Sequence, residues 1–146
     1  MSQIDDDPEA AAAALGLRMV VARPDLLQLD IDYPYDPEKK QKWKVRLGTL
    51  NMLFNLELGQ SLWASMLITV SKSGNTHVYV KLIKDFTHSE RLFMQLYCDS
   101  DPTRERLSFQ RLVGNSVREP SILFETPGEY DKVMSWLEKH KEKDPP

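Results

Sequence analysis

The feature that most restricts this chain is a four-residue turn, Lys72-Ser73-Gly74-Asn75, set between two β-rich runs, residues 65–71 and 76–82. Gly and Asn tolerate the left-handed backbone of tight turns, and the β-branched and aromatic residues on either side favour extended chain. The spacing predicts a β-hairpin and therefore an antiparallel sheet. Alternation after the turn sends Val78, Val80 and Leu82 into the core and His77, Tyr79 and Lys81 to the opposite face. A further alternating run, residues 26–31, puts Leu27, Leu29 and Ile31 on one side and Gln28, Asp30 and Asp32 on the other.

Helix signals surround these strands. Asp7-Pro8 and Gly16 bracket a short Ala-rich helix over 8–15. Asp36-Pro37 predicts a helix to about residue 55, with Trp43, Leu47, Leu50 and Phe54 on one face. Thr87-His88-Ser89-Glu90 is a capping box opening a helix to about residue 97. Residues 107–113 and 121–125 read as strands, and Thr126-Pro127-Gly128-Glu129 caps a last helix burying Tyr130, Val133, Met134 and Leu137. The order α-β-α-β-β-α-β-β-α predicts an α+β fold, helices packed on a mainly antiparallel sheet. Residues 1–24 read as an acidic, helical N-terminal segment, 25–140 as one domain, and 141–146 as a disordered tail.

Composition narrows the class. The chain has 146 residues, 41% hydrophobic and 28% charged, the balance of an ordinary globular domain. A single cysteine, Cys98, excludes a disulfide framework and a Cys-rich zinc module. No apolar run approaches a membrane span, and the acidic N-terminus does not read as a signal peptide, so a cytoplasmic location is expected. The net charge of −3 is unevenly spread: residues 1–37 carry −6, residues 38–125 carry +4, and the remainder −1. A basic middle suits a phosphate-binding surface and equally an ordinary solvated face.

Four constellations could carry chemistry. Asp30 and Asp32 project together from a strand exit, where a divalent cation with oxygen ligands would relieve their repulsion; a solvated, helix-capping pair is the alternative. The hairpin places Lys72, Ser73 and exposed backbone N–H groups near His77, a candidate phosphate cradle, or a polar turn beside a surface histidine. Asp99, Asp101, Arg104 and Arg106 precede Arg111, which breaks an apolar strand row and needs an anion: a ligand phosphate, or a salt bridge to Glu105 or Glu125. Lys39, Lys40, Lys42, Lys44 and Arg46 surround Trp43, and basic residues beside an aromatic can hold a nucleic-acid backbone; against this, Trp43 falls on the apolar stripe, which reads as core. His88 and His140 read as helix-surface residues.

In order, three of these segments resemble the motifs of the archaeo-eukaryotic primase superfamily. Leu27-Gln28-Leu29-Asp30-Ile31-Asp32 resembles the acid-pair motif, Ser73-Gly74-Asn75-Thr76-His77-Val78-Tyr79-Val80 the histidine hairpin, and Asp101 with Arg111 the third acid and its basic companion. The resemblance spans about residues 25–125. It implies a primase–polymerase-like core and metal-dependent nucleotidyl transfer during replication. Asp30, Asp32 and Asp101 would hold Mg²⁺ or Mn²⁺; His77, with Lys72, Ser73, Arg104 and Arg111, would bind the nucleotide. Asp99 and Glu125 compete with Asp101 as third acid. The partners implied are nucleoside triphosphates, single-stranded or primed DNA, and a helicase or other replication protein, in a phage, plasmid or prokaryotic setting. The alternative is a non-catalytic nucleic-acid-binding accessory protein that keeps the fold.

Overall fold

The computed structural model of the chain describes residues 8–114 and 121–140. Its elements run α1 (Pro8–Ala14), β1 (Arg18–Val21), β2 (Leu26–Ile31), α2 (Lys42–Leu58), β3 (Trp63–Val70), β4 (Thr76–Leu82), α3 (His88–Tyr97), α4 (Pro102–Val113), β5 (Ile122–Glu125) and α5 (Pro127–Lys139). The fold is α+β, and every strand pair is antiparallel. Asp7 and residues 141–146, assigned above to a cap and a tail, lie outside the described residues.

The hairpin forms as its turn demands. Ser71 N–H donates to the Asn75 carbonyl at 2.8 Å, Gly74 N–H donates to the Ser71 carbonyl at 2.9 Å, and Gly74 adopts φ 90°, a conformation costly for any residue with a Cβ. β4 is the centre of a three-stranded sheet, order β2-β4-β3. One face of that sheet holds Leu27, Leu29, Ile31, Val78, Val80 and Leu82, packed with Trp43 and Leu47 of α2 and Met94 of α3. The capping box of α3 is complete: Thr87 Oγ1 accepts from Glu90 N–H, and Glu90 Oε1 accepts from Thr87 N–H.

The other face is covered too, and here the structure departs from the sequence reading. β1, which no alternation announces in four residues, pairs with β5 (Arg18 opposite Glu125) as a separate two-stranded sheet. With α5 it packs Val20, Leu123, Val133 and Trp136 onto Leu26 and Tyr79. All of β4 is therefore buried, His77 and Lys81 included. β1, which falls within the region read as the N-terminal segment, thus forms part of this second layer. Trp136, absent from the expected buried face of α5, is its largest buried side chain.

Two element assignments are corrected. Residues 107–113 are helical, not a strand: they end α4, whose N-cap Asp101 accepts from Thr103 N–H at 3.1 Å ahead of Pro102 at the first turn. Glu105 and Ser108 are buried and Arg104, Arg111 and Leu112 half-buried, a helical spacing that the Leu107-Phe109-Arg111 alternation disguised. α2 begins at Lys42, not after Pro37. Gln41 is extended (φ −104°, ψ 137°), its Nε2 donating to the Pro34 carbonyl and its Oε1 accepting from Trp43 Nε1. Among the described residues no helix is long and apolar enough to cross a membrane.

Candidate functional site

A cleft of about 650 Å³ opens where β2 leaves the sheet, between the hairpin turn, α4 and β5. Asp30, Asp32 and Asp101 line it, as do Lys72, Ser73, His77, Arg104 and Arg111. These eight residues, the metal and nucleotide ligands that the resemblance implies, thus reach one concavity from four segments. Leu17, Leu107 and Phe124 add an apolar wall.

The α3–α4 corner sets the position of Asp30 and Asp101. Asp99 takes φ 68°, which aspartate tolerates, and turns the chain back onto the free edge of β2. Asp30 N–H donates to Ser100 Oγ at 2.9 Å, and Asp101 N–H donates to the Asp30 carbonyl at 2.7 Å. Ser100 Oγ in turn donates to Glu105 Oε2 at 2.6 Å, and Gln95 Nε2 to Glu105 Oε1 at 2.8 Å. Gln28 N–H donates to Gln95 Oε1 at 3.2 Å. Gln95 of α3, with Ser100 and the Asp101 N–H of the α3–α4 corner, therefore satisfies the edge of β2, which would otherwise leave polar groups buried and unpaired.

Arg104 belongs to this clamp. Its guanidinium donates to the Gln28 carbonyl (2.8 Å), Gln28 Oε1 (3.0 Å), Ser121 Oγ (2.7 Å) and the Ile122 carbonyl, and it pairs with Glu105. Those five contacts make it a strut joining β2, α4 and β5. Glu105 and Glu125, the acids weighed above as partners for Arg111, hold Arg104 and His77 respectively. Arg111 sits in the last turn of α4, with burial first and then the charge of Arg104 lowering its pKa.

His77 is the most constrained group at the cleft. It lies opposite Asp30 on β2 and opposite Thr69 on β3. Its Nε2 is 3.5 Å from Asp30 Oδ1 and its Nδ1 3.0 Å from Glu125 Oε1. Glu125 is fully buried; its Oε2 accepts from Thr69 Oγ1 at 2.7 Å and from the Tyr79 hydroxyl. Burial pulls the pKa of His77 down, but bonding to Asp30 and Glu125 and their charges outweigh it and lift the imidazole to about 9. Burial, then the Glu125 carboxylate, holds the Tyr79 hydroxyl well above its ordinary range, so it stays a donor.

The remaining acids have their own partners. Asp32 is exposed and its Oδ1 accepts from Asn75 Nδ2 at 3.2 Å, tying the β2 exit to the hairpin turn. Of the competitors for third acid, Asp99 pairs with Lys42 at 3.6 Å and accepts from the Tyr33 hydroxyl, while Glu125 lies behind His77; neither lines the cleft. Lys72 Nζ donates to the Leu15 carbonyl at 3.2 Å. Glu125 and Glu105, weighed above only as a third acid or as partners for Arg111, back the site together with Thr69 and Ser100, which no motif singled out.

Among the described residues no group of three or more His, Cys, Asp or Glu side chains is gathered so as to hold a metal ion alone. The donor chemistry of Asp30, Asp32 and Asp101 nevertheless fits a hard cation, because Mg²⁺ is usually held by one or two carboxylates with waters and substrate phosphates completing its shell. No family model, curated protein or solved structure matches the chain.

Proposed function

We propose that this protein is a metal-dependent nucleotidyltransferase of the primase–polymerase type, acting on single-stranded or primed DNA. The observation that carries the reading is the make-up of one cleft, where Asp30, Asp32 and Asp101 meet Lys72, Ser73, His77 and Arg111. A polyphosphate bound through a divalent cation needs both signs of charge in one concavity: acids for the cation, bases for the phosphates. Bound Mg²⁺ or Mn²⁺ supplies neutralisation of phosphate charge and activation of an attacking 3′-hydroxyl. Asp30 and Asp32 are the residues to hold it, with Asp101 as the third acid.

The chain's own groups have separable tasks in this reading. His77 donates from Nε2 to a phosphate oxygen when Asp30 turns to the cation, while Glu125, 3.0 Å from Nδ1, keeps the ring in place. Arg111 supplies a bidentate fork and Lys72 a mobile point charge once it leaves the Leu15 carbonyl. Arg104 is reassigned from nucleotide binding to holding the β2 edge, because the protein already uses its donors.

A second reading, a non-catalytic nucleic-acid-binding accessory protein, draws on one observation. Asp30, Asp32 and Asp101 each have a protein partner, in His77, Asn75 and the α4 N-terminus, so the acids have a structural use without metal. Manganese-dependent incorporation of labelled nucleotide on primed and unprimed single strands separates the two. Incorporation by the wild type, lost in Asp30→Asn/Asp32→Asn, is the expected result. DNA binding without incorporation at any metal concentration favours the accessory role.

A further inference from the structure

Helix α2 has two apolar faces. Trp43, Leu47, Leu50 and Phe54 pack into the core. On the opposite side Val45, Met52, Leu53 and Leu56 are 45%, 60%, 56% and 81% exposed. Val45, Thr49, Met52 and Leu56 are spaced four, three and four apart, the seam of a two-helix coiled coil. A Cβ at Gly48, beside the seam, would meet nothing within 4 Å, so a second backbone can come close there.

The charges on α2 say what kind of partner fits. Lys42 and Lys44 occupy the first turn, which has no acid, and Glu57 lies near the end, whose last turn has no base. Each opposes the helix's own dipole. An antiparallel copy of the same helix corrects both ends at once, laying Glu57 beside the basic turn and opposing the two dipoles. Nucleic acid would instead need cations along the whole face, and this face is uncharged between Arg46 and Glu57.

We infer that α2 pairs with α2 of a second copy of this chain, antiparallel, with Val45 facing Leu56 and Thr49 facing Met52. The helix is 17 residues, about 25 Å long, so this seam is smaller than a standard interface of roughly 800 Å² per partner. The association is accordingly weak and concentration-dependent, and it is independent of the nucleotide reading, since α2 does not line the cleft.

Sedimentation equilibrium of the full chain at rising concentration, without nucleotide, tests the pairing. A monomer–dimer equilibrium is expected, and Met52→Glu/Leu56→Glu should raise the dissociation constant at least about tenfold with an unchanged melting temperature, both residues being exposed. Orientation is read by oxidation: Val45→Cys protein mixed with Leu56→Cys protein should cross-link to each other and neither to itself. Cys98 is buried and does not interfere. A monomer at every concentration, a dimer indifferent to the double Glu variant, or self-linking of Val45→Cys would each overturn the inference.

Discussion

His77 Nδ1 lies 3.0 Å from Glu125 Oε1, at the bottom of the cleft that Asp30 lines. His77 is 5% exposed and Glu125 fully buried, so the protein has taken two titratable groups out of water at its candidate site. Such a pair is costly unless its other polar atoms are satisfied. Thr69 and Tyr79 donate to the far oxygen of Glu125, and Asp30 meets the far nitrogen of His77. The row Thr69–His77–Asp30 runs straight across β3, β4 and β2, so the sheet register itself assembles the site.

The raised pKa of His77 makes stability depend on pH. Because the folded value is about 9 against 6.5 unfolded, the folded chain binds the proton more tightly. Its contribution is complete below pH 6.5 and is lost as pH rises through 9, on the order of 3 kcal/mol in all. Urea unfolding in EDTA should show wild type losing stability across that window. His77→Gln should show a flatter profile, and parallel profiles for the two proteins would exclude the protonated ring.

Removing the charge beneath the ring should be costly. Glu125→Gln keeps the shape and leaves Thr69 and Tyr79 an acceptor, but deprives the imidazolium of its closest counter-charge. Breaking a buried ion pair by removing one charge is destabilising, and a loss of about 3 kcal/mol is expected by denaturant unfolding at pH 7. The His77 titration, followed by NMR, should move down from about 9. An unmoved titration would mean that Asp30 alone holds the proton.

How much of this was legible in the sequence depended on the range of the interaction. The hairpin, the β2 alternation and the α3 capping box are local devices, and each stands where its residues predicted. Period-two reasoning failed for His77 because it assumes one solvated sheet face, whereas β1, β5 and α5 cover the second face through contacts distant in sequence. It failed again at residues 107–113, where a helix with buried Glu105 and Ser108 has no clear apolar stripe. The candidate acids and bases were readable as types, but only the α3–α4 corner brings Asp101 to Asp30, through Ser100 and a positive φ at Asp99. No motif spacing encodes that corner.

Arg104 and Arg111 should separate by phenotype. Arg104→Lys cannot reproduce a fork spanning Gln28, Ser121 and Ile122, and leaves buried acceptors unpaired, each costing about 1–3 kcal/mol. Its melting temperature should fall well below that of wild type. Arg111→Lys, at the half-buried end of α4, should instead lower nucleotide affinity by about 1–3 kcal/mol with a small change in melting temperature. Thermal scans and nucleotide titration on both variants decide; a stability loss confined to Arg111→Lys would reverse the two roles.

Divalent metal should stabilise the folded chain through Asp30 and Asp32. Asp30, within β2, lines the cleft, and Asp32, exposed just past the strand, is held by Asn75, which lines it too. A cation there competes with the Asn75 amide and with the His77 imidazolium for the same oxygens. The Asp32 contact is with a neutral amide and exposed, so it is the easier to exchange. A ligand that binds only the folded state stabilises it by about 2.7 kcal/mol at a hundred times its dissociation constant. Adding Mn²⁺ to wild type should therefore raise the melting temperature, and EDTA should reverse the rise. Asp32→Asn removes one ligand and leaves the His77–Asp30 pair in place, so a reduced shift in this variant reports on metal alone. Asp30→Asn/Asp32→Asn should show no shift by melting and no heat by calorimetry; a full metal response in that variant would locate the cation elsewhere and remove the chemical basis of the nucleotidyltransferase reading.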